Sequence, residues 1–451
     1  MTRIVPGKKA CSTNPLKSST PLGAALAYLG VEGALPLFHG SQGCTSFALV
    51  LAVRHFKEAI PLQTTAMNEA STILGGAEHL EEALVNITKR VAPKFIGIAS
   101  TALVETRGED FVGDLGLIRL KRRELDGLPI AFAATPDFDG ALEEGWAAAT
   151  AATITELASA GGTHEAGRIN LLPGVHQTPG DVEALRALVE SFGLQVTVLP
   201  DISTSLDGTV PGRHVATSAG GTPIAEIREL GKASHTIAIG EHMRQPAETL
   251  KELTGVPFSV LPSVTGLAEV DAFVALLMKE SGRPAPDALK RKRSQLLDAM
   301  MDAHFWFSGR KIAIASDPDL LRCLGQLVVS MGAELCCAIS STRGSDALSD
   351  LSCDEVLVGD LGDLEERAQA AGADLLVTHS HGRRAAQRLG VPLYRVGFPV
   401  FDRLGIQHRC SVGYHGTRQV LYDLANLIAS KHHEPSPKDF EAMEGVTHVG
   451  A

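Results

Sequence analysis

Seven cysteines are spread over a chain of 451 residues: Cys11, Cys44, Cys323, Cys336, Cys337, Cys353 and Cys410. Cys44 has the setting best suited to chemistry. It closes the stretch "FHGSQGC", with the apolar run "ALPLF" before it and "TSFALVLAVRHF" after it. The two runs predict a strand and a helix, and Gly40 and Gly43 between them predict a sharp corner built on glycine backbone angles. Cys44 then falls at a helix N-terminus, where free backbone N–H groups favour a thiolate. A thiolate in a tight loop, ringed by N–H donors, is a setting in which sulfur ligates an iron–sulfur cluster. The same residues also suit an inert thiol beside a turn, and His39 suits a hydrogen-bonded structural histidine. A cubane takes four thiolates. The chain offers one in this setting, so a cluster held here would lie at an interface and take its other ligands from elsewhere.

The remaining candidates read as structure. Cys336-Cys337 lies in an apolar strand, where neighbouring residues point to opposite faces. Cys323 falls on the apolar side of a helix, and Cys353 and Cys410 sit in polar loops without a partner at metal spacing. His379-Ser380-His381 follows a strand, at the end where α/β proteins form ligand sites, and also suits an ordinary polar loop. His432-His433 reads as solvated. There is no C-x-x-C, no G-x-x-x-x-G-K-[ST], no G-x-G-x-x-G after a strand, no G-x-S-x-G and no H-E-x-x-H. P-loop ATP hydrolysis, a standard dinucleotide site, serine hydrolysis and zincin chemistry are therefore unsupported, and no catalytic residue is assigned.

The elements that would position Cys44 repeat one theme three times. "PLGAALAYLG" predicts a short helix, "ALPLF", "KFIGIAST" and "PIAFAATPD" predict strands, and "CTSFALVLAVRHFK" opens a helix. "RINLLPG", "QVTVLPD", "HTIAIG" and "FSVLP" predict a second set of strands, with helices at "PGDVEALRALVESFG" and "GLAEVDAFVALLMKESG". "KIAIASD", "ELCCAISS", "EVLVG" and "DLLVTHS" predict a third set. Alternating buried strands and amphipathic helices predict an α/β chain of three doubly wound, Rossmann-like domains with parallel sheets. The expected spans are 1–165, carrying the cluster half-site, then 166–305 and 306–432, with a loosely ordered tail over 433–451. "APDALKRKRSQLLDAMMDAHFWFSG" predicts a long helix between the second and third, its "KRKR" a solvated face.

Composition agrees. Hydrophobic residues make up 44% and aromatics only 5%, the palette of helices packed on parallel sheets. A net charge of -11 excludes a uniform basic face for nucleic acid. No run reaches the roughly 18 uncharged apolar residues of a membrane span. The polar start "MTRIVPGKKACSTNPLKSST" carries no secretory h-region. These features and an odd cysteine count at long spacings predict reduced thiols and a cytoplasmic protein.

The run "PLGAALAYLGVEGALPLFHGSQGCTSFALVLAVRHFKEAIPLQTTAMNEASTILGG" resembles the start of the nitrogenase component 1 family. "IASTALVETRGEDF", "PDFDGALEEGWAAA" and "VPLYRVGFPVFDRLG" resemble later segments of that family, in the same order. In the family's nitrogenase β subunit, three cysteines hold half of an eight-iron P-cluster. One matches Cys44; the other two positions carry Ser19 and Ala102 here. Alanine cannot ligate iron and serine does so weakly at neutral pH, which argues against a P-cluster. The resemblance therefore implies the β-like subunit of a scaffold on which the nitrogenase iron–molybdenum cofactor is matured. It implies a four-iron four-sulfur cluster bound through Cys44 and shared with a NifE-like α subunit in a heterotetramer. The cofactor precursor would be held mainly by that partner. The nitrogenase Fe protein would supply MgATP-driven electrons, and a NifB-type protein the precursor. The alternatives are a nitrogenase molybdenum–iron protein β subunit, a light-independent protochlorophyllide reductase subunit, and an α/β protein that binds a small molecule and no metal.

Overall fold

The structure, a computed structural model, describes residues 2–430 apart from 8, 10, 11, 13, 69–74, 109, 211, 213, 214 and 345. Cys11, His432, His433 and the 433–451 tail lie outside the described residues.

Fourteen strands among the described residues form three sheets, and every pairing is parallel. In chain order they are β1 (Arg3–Pro6), β2 (Ala34–His39), β3 (Gln63–Thr64), β4 (Phe95–Ser100), β5 (Ile130–Ala133), β6 (Glu165–Leu172), β7 (Gln195–Val198), β8 (Ala233–Ile239), β9 (Phe258–Leu261), β10 (Lys311–Ser316), β11 (Glu334–Ser340), β12 (Glu355–Val358), β13 (Leu375–Thr378) and β14 (Leu393–Arg395). The first sheet runs β3-β2-β4-β5, the second β7-β6-β8-β9 and the third β1-β12-β11-β10-β13-β14. The central strands are continuous apolar runs because helices cover both faces; β2 and β4 are buried at all six of their residues. In the first two sheets the chain steps outward in both directions from β2 and from β6. Strand order therefore reverses between β2 and β4, and again between β6 and β8. Crevices for ligands form at such reversals, beyond the carboxyl ends of the strands. The α/β, doubly wound architecture expected from the pattern is the one observed.

Two features depart from the expected layout. β1 pairs with β12, so the polar start of the chain adds a strand to the third sheet. The helix Thr20–Leu29 is buried on every side. It packs against Leu142–Leu157 at backbone contact: a Cβ on Gly23 would lie 2.1 Å from the Leu142 carbonyl oxygen, and one on Gly145 would lie 1.8 Å from that of Thr20. Glycine at both positions is what lets the two backbones touch. The Asp287–Phe307 helix connects the second and third sheets as expected, with Lys290, Arg291 and Lys292 exposed and Arg293 paired to Asp271 at 2.7 Å.

Candidate functional site

β2 ends at His39, and the helix Gln42–Phe56 starts three residues later, with Ser41 at its N-cap. Cys44 is the third residue of that helix and is exposed. The Ser41 hydroxyl lies 3.7 Å from its sulfur. The corner is held by threonines from neighbouring strands. The Gly40 N–H donates to Thr65 Oγ1 at 3.1 Å, the Met67 N–H to the Gly40 carbonyl at 2.9 Å, and the Thr101 N–H to the His39 carbonyl at 3.1 Å. The glycines act differently from the sequence expectation, for neither Gly40 nor Gly43 has a positive φ. Gly40 is needed for close approach, since a Cβ there would sit 2.1 Å from Thr101 Oγ1, whereas one on Gly43 would meet nothing nearer than 3.9 Å. His39 is buried, its Nδ1 3.1 Å from Thr65 Oγ1, in the structural role that the sequence allowed.

Ser19, Cys44 and Ala102, far apart in the chain, line one cleft of about 490 Å³ together with Lys17, Thr101 and Asp137. Ser19 is the N-cap of Thr20–Leu29, and Ala102 opens the helix Ala102–Arg107. Cys44 and Ala102 follow β2 and β4, so the cleft lies at the strand-order reversal of the first sheet. From Cys44 the exposed face of the Gln42–Phe56 helix continues at intervals of three with Phe47, Val50 and Val53, which are 77%, 53% and 40% exposed. The helix's far end is anchored. His55 Nδ1 accepts from the Val400 N–H at 2.9 Å, and the Arg54 guanidinium lies 4.1 Å from the Phe401 ring centre.

The other described cysteines are packing residues. Burial pushes the Cys323 and Cys336 thiols up to about 11 and those of Cys337 and Cys410 up to about 12. Cys353 is half-buried and also raised by burial. Cys336 and Cys337 pack on the same apolar cluster rather than on opposite faces. The β10 ladder pairs Ile312 with Leu335 and Ala313 with Cys337, so it bulges at Cys336. His379 is buried, with Nε2 3.2 Å from the Leu16 carbonyl oxygen, and tethers the N-terminal segment to the third sheet.

A second constellation was missed at the sequence level. Gly174-Val175-His176 follows β6 and Gly240-Glu241-His242 follows β8, adjacent strands at the reversal of the second sheet. Their histidines meet Glu143 from the Leu142–Leu157 helix, and one donor atom from each of the three lies within 4.8 Å of the others. Asp319, just beyond β10, accepts from both His242 Nδ1 (2.5 Å) and the His242 N–H (3.0 Å) through Oδ2, while its own N–H donates to Glu143 Oε1 at 3.0 Å. His176 Nδ1 and Asp319 Oδ1 are shut off from solvent with no hydrogen-bond partner. Burial lowers His176 to about 4. Burial, with Asp319, Asp317 and Glu144 nearby, holds the Glu143 carboxyl well above the usual range. The repeated Gly-x-His after two strands was the available signal.

A profile of the family described as nitrogenase component 1 type oxidoreductase matches residues 19–429. The nitrogenase iron-molybdenum cofactor biosynthesis protein NifN of Mesorhizobium japonicum is 58% identical over 440 residues, 97% of this chain and 95% of that protein. Its namesake in Sinorhizobium fredii is 53% identical over the full length of both. A chain of the solved structure "Nitrogenase Cp1 at pH 6.5" superposes with a TM-score of 0.90 at 29% identity, covering 96% of this chain and 97% of that one. No helix among the described residues is long and apolar enough to cross a membrane. Fold, cleft and full-length likeness agree, and the chain belongs to the nitrogenase component 1 type oxidoreductase family.

Proposed function

We propose that this chain is a scaffold subunit for biosynthesis of the nitrogenase iron–molybdenum cofactor, the role named for its relatives in Mesorhizobium and Sinorhizobium. It pairs with a NifE-like α subunit and holds one edge of a four-iron four-sulfur cluster through Cys44. The observation that carries the reading is the placement of Cys44. It is the exposed cysteine among those described, and it heads an unpartnered apolar helix face. Ser19 and Ala102 line the same cleft, so a second and third thiolate are replaced where they would be needed for a larger cluster.

The residues present fit one corner of a four-iron cluster, one thiolate of the four it takes. One thiol, in the first turn of a helix, faces an open cleft large enough to admit a partner's ligands. When bound, such a cluster supplies one-electron transfer. The chain's own part is to present the Cys44 thiolate at a fixed corner, set by Thr65 and Thr101, and to cover it with the Phe47 and Val50 face. Electrons come from the nitrogenase Fe protein, a NifB-type protein delivers the precursor, and the partner holds that precursor.

The test compares Cys44→Ala with Cys336→Ala in the complex co-purified with its α-like partner. Iron content and the reduced-state paramagnetic resonance signal should collapse in the first and persist in the second. A full cluster with an unchanged spectrum in Cys44→Ala would sink the half-site.

A further inference from the structure

We infer that Glu143, His176 and His242 form a binding site for a divalent first-row cation of the Zn²⁺ class, with Asp319 orienting His242. The site is separate from the Cys44 cleft and does not depend on the cluster reading. Four observations carry it.

Place is the first. His176 and His242 follow β6 and β8 at the strand-order reversal of the second sheet, where an α/β fold opens a crevice, and Asp319 follows β10 of the third sheet. Four separate parts of the chain converge there, and one donor atom each from Glu143, His176 and His242 already lies within 4.8 Å of the others. Coordination at about 2.0–2.2 Å brings donors to roughly 3.4 Å apart, closer than they stand here.

Unused bonding capacity is the second. Asp319 is only 1% exposed, yet its Oδ1 has no partner, and neither does His176 Nδ1. Buried polar atoms are nearly always satisfied, and two orphans in one cluster call for an occupant.

Donor chemistry is the third. Two imidazoles and a carboxylate are a common zinc set that leaves a position open. Asp319 accepting from His242 Nδ1 has the form of the carboxylate–histidine pair that fixes a metal-binding ring, and it leaves as donor Nε2, which now accepts a 3.3 Å hydrogen bond from the Val175 N–H that an ion would displace.

The fourth is the shape of the cradle. A Cβ on Gly174 would lie 2.6 Å from His242 Cε1 and 2.9 Å from His176 Cε1, and one on Gly240 would lie 2.9 Å from Asp319 Oδ2. Glycine at both positions keeps room for the rings. His176 keeps an exposed edge while Glu143 is buried, which gives an ion a way in past His176.

The experiment uses the full-length protein as purified, incubated with ZnCl₂ or CoCl₂, freed of loose metal by gel filtration and analysed by mass spectrometry. One zinc per chain is expected, retained in Cys44→Ala and lost in His176→Ala and Glu143→Gln. Asp319→Asn should weaken binding about 10–100-fold. Circular dichroism checks that each variant is folded. Should a variant not fold, Co²⁺ on the unaltered protein still decides: nitrogen and oxygen donors give weak visible bands, whereas thiolates give intense near-ultraviolet charge transfer. Substoichiometric zinc, zinc that survives in folded His176→Ala and Glu143→Gln, or a thiolate spectrum would each overturn the site.

Discussion

At the scale of single residues, Cys44 was legible in the sequence because its reason is local: a strand, a short corner and a helix start can be read from neighbouring residues. Its glycines were legible only as corner residues. The reason for Gly40 lies 61 positions away at Thr101, which no local reading supplies. The two positions should therefore respond oppositely to alanine. Gly40→Ala drives a methyl into Thr101 and should cost about 1–3 kcal/mol, the usual range for overpacking. Gly43→Ala sits in the exposed first turn of a helix, meets open space and should be neutral or stabilising by up to about 1 kcal/mol. Denaturant midpoints at constant slope check both. Equal destabilisation would mean that Gly43 has a backbone role after all. The Gly-x-His repeat was equally visible in the text of the chain. Its meaning depends on β6 and β8 lying side by side, and strand order cannot be read from a motif of three residues.

At the scale of elements, the apolar runs predicted the central strands because a strand covered on both faces must be apolar throughout, and that signal is strong. β1 carried no such signal. It is an edge strand, "RIVP", half-exposed and within a polar start, and what makes it a strand is the unpaired side of β12. The Gln42–Phe56 helix shows the converse case. Its inward residues Ala48, Ala52, His55 and Phe56 are buried, yet Phe47 and Val50 on the outer face are exposed and apolar. An element that serves only its own fold would carry polar residues there. Phe47→Asp should therefore leave the chain's own stability within about 0.5 kcal/mol, as expected for a surface change. It should weaken association with the α-like partner by about 2 kcal/mol or more, the scale of a central aromatic anchor. Sedimentation of the mixed subunits, with thermal melts of the chain alone, separates the two effects. Undiminished pairing in Phe47→Asp would remove this face from the interface.

At the scale of the whole molecule, buried histidines pin the parts together. His55 carries the first sheet's helix to Val400, and His379 carries the third sheet to the N-terminal segment at Leu16. Burial lowers His55 to about 3 and His379 to about 4. Both folded values lie below the ordinary value near 6.5, so the unfolded chain binds more protons as pH falls. The sign follows: the stability these two groups contribute is fully present above about pH 6.5 and is lost progressively as pH falls towards 4. At pH 5 each group opposes folding by about 2 kcal/mol, that is, about 1.4 kcal/mol for each pH unit below 6.5. Raised carboxyls run the other way. Burial lifts Asp181, and it lifts Asp317 to about 6, so their contribution is present in acid and lost as pH rises. The net curve mixes both kinds, and a difference between variants isolates one. His55→Asn keeps an acceptor within reach of the Val400 N–H and removes the titrating ring. Its unfolding free energy, measured in denaturant from pH 7 to pH 5, should fall less steeply than that of the unaltered chain, the gap widening by about 1.4 kcal/mol per unit below pH 6.5. Parallel curves would mean that the His55 ring reaches solvent and takes up its proton without unfolding, and the junction it forms would then be looser than its hydrogen bond to Val400 implies.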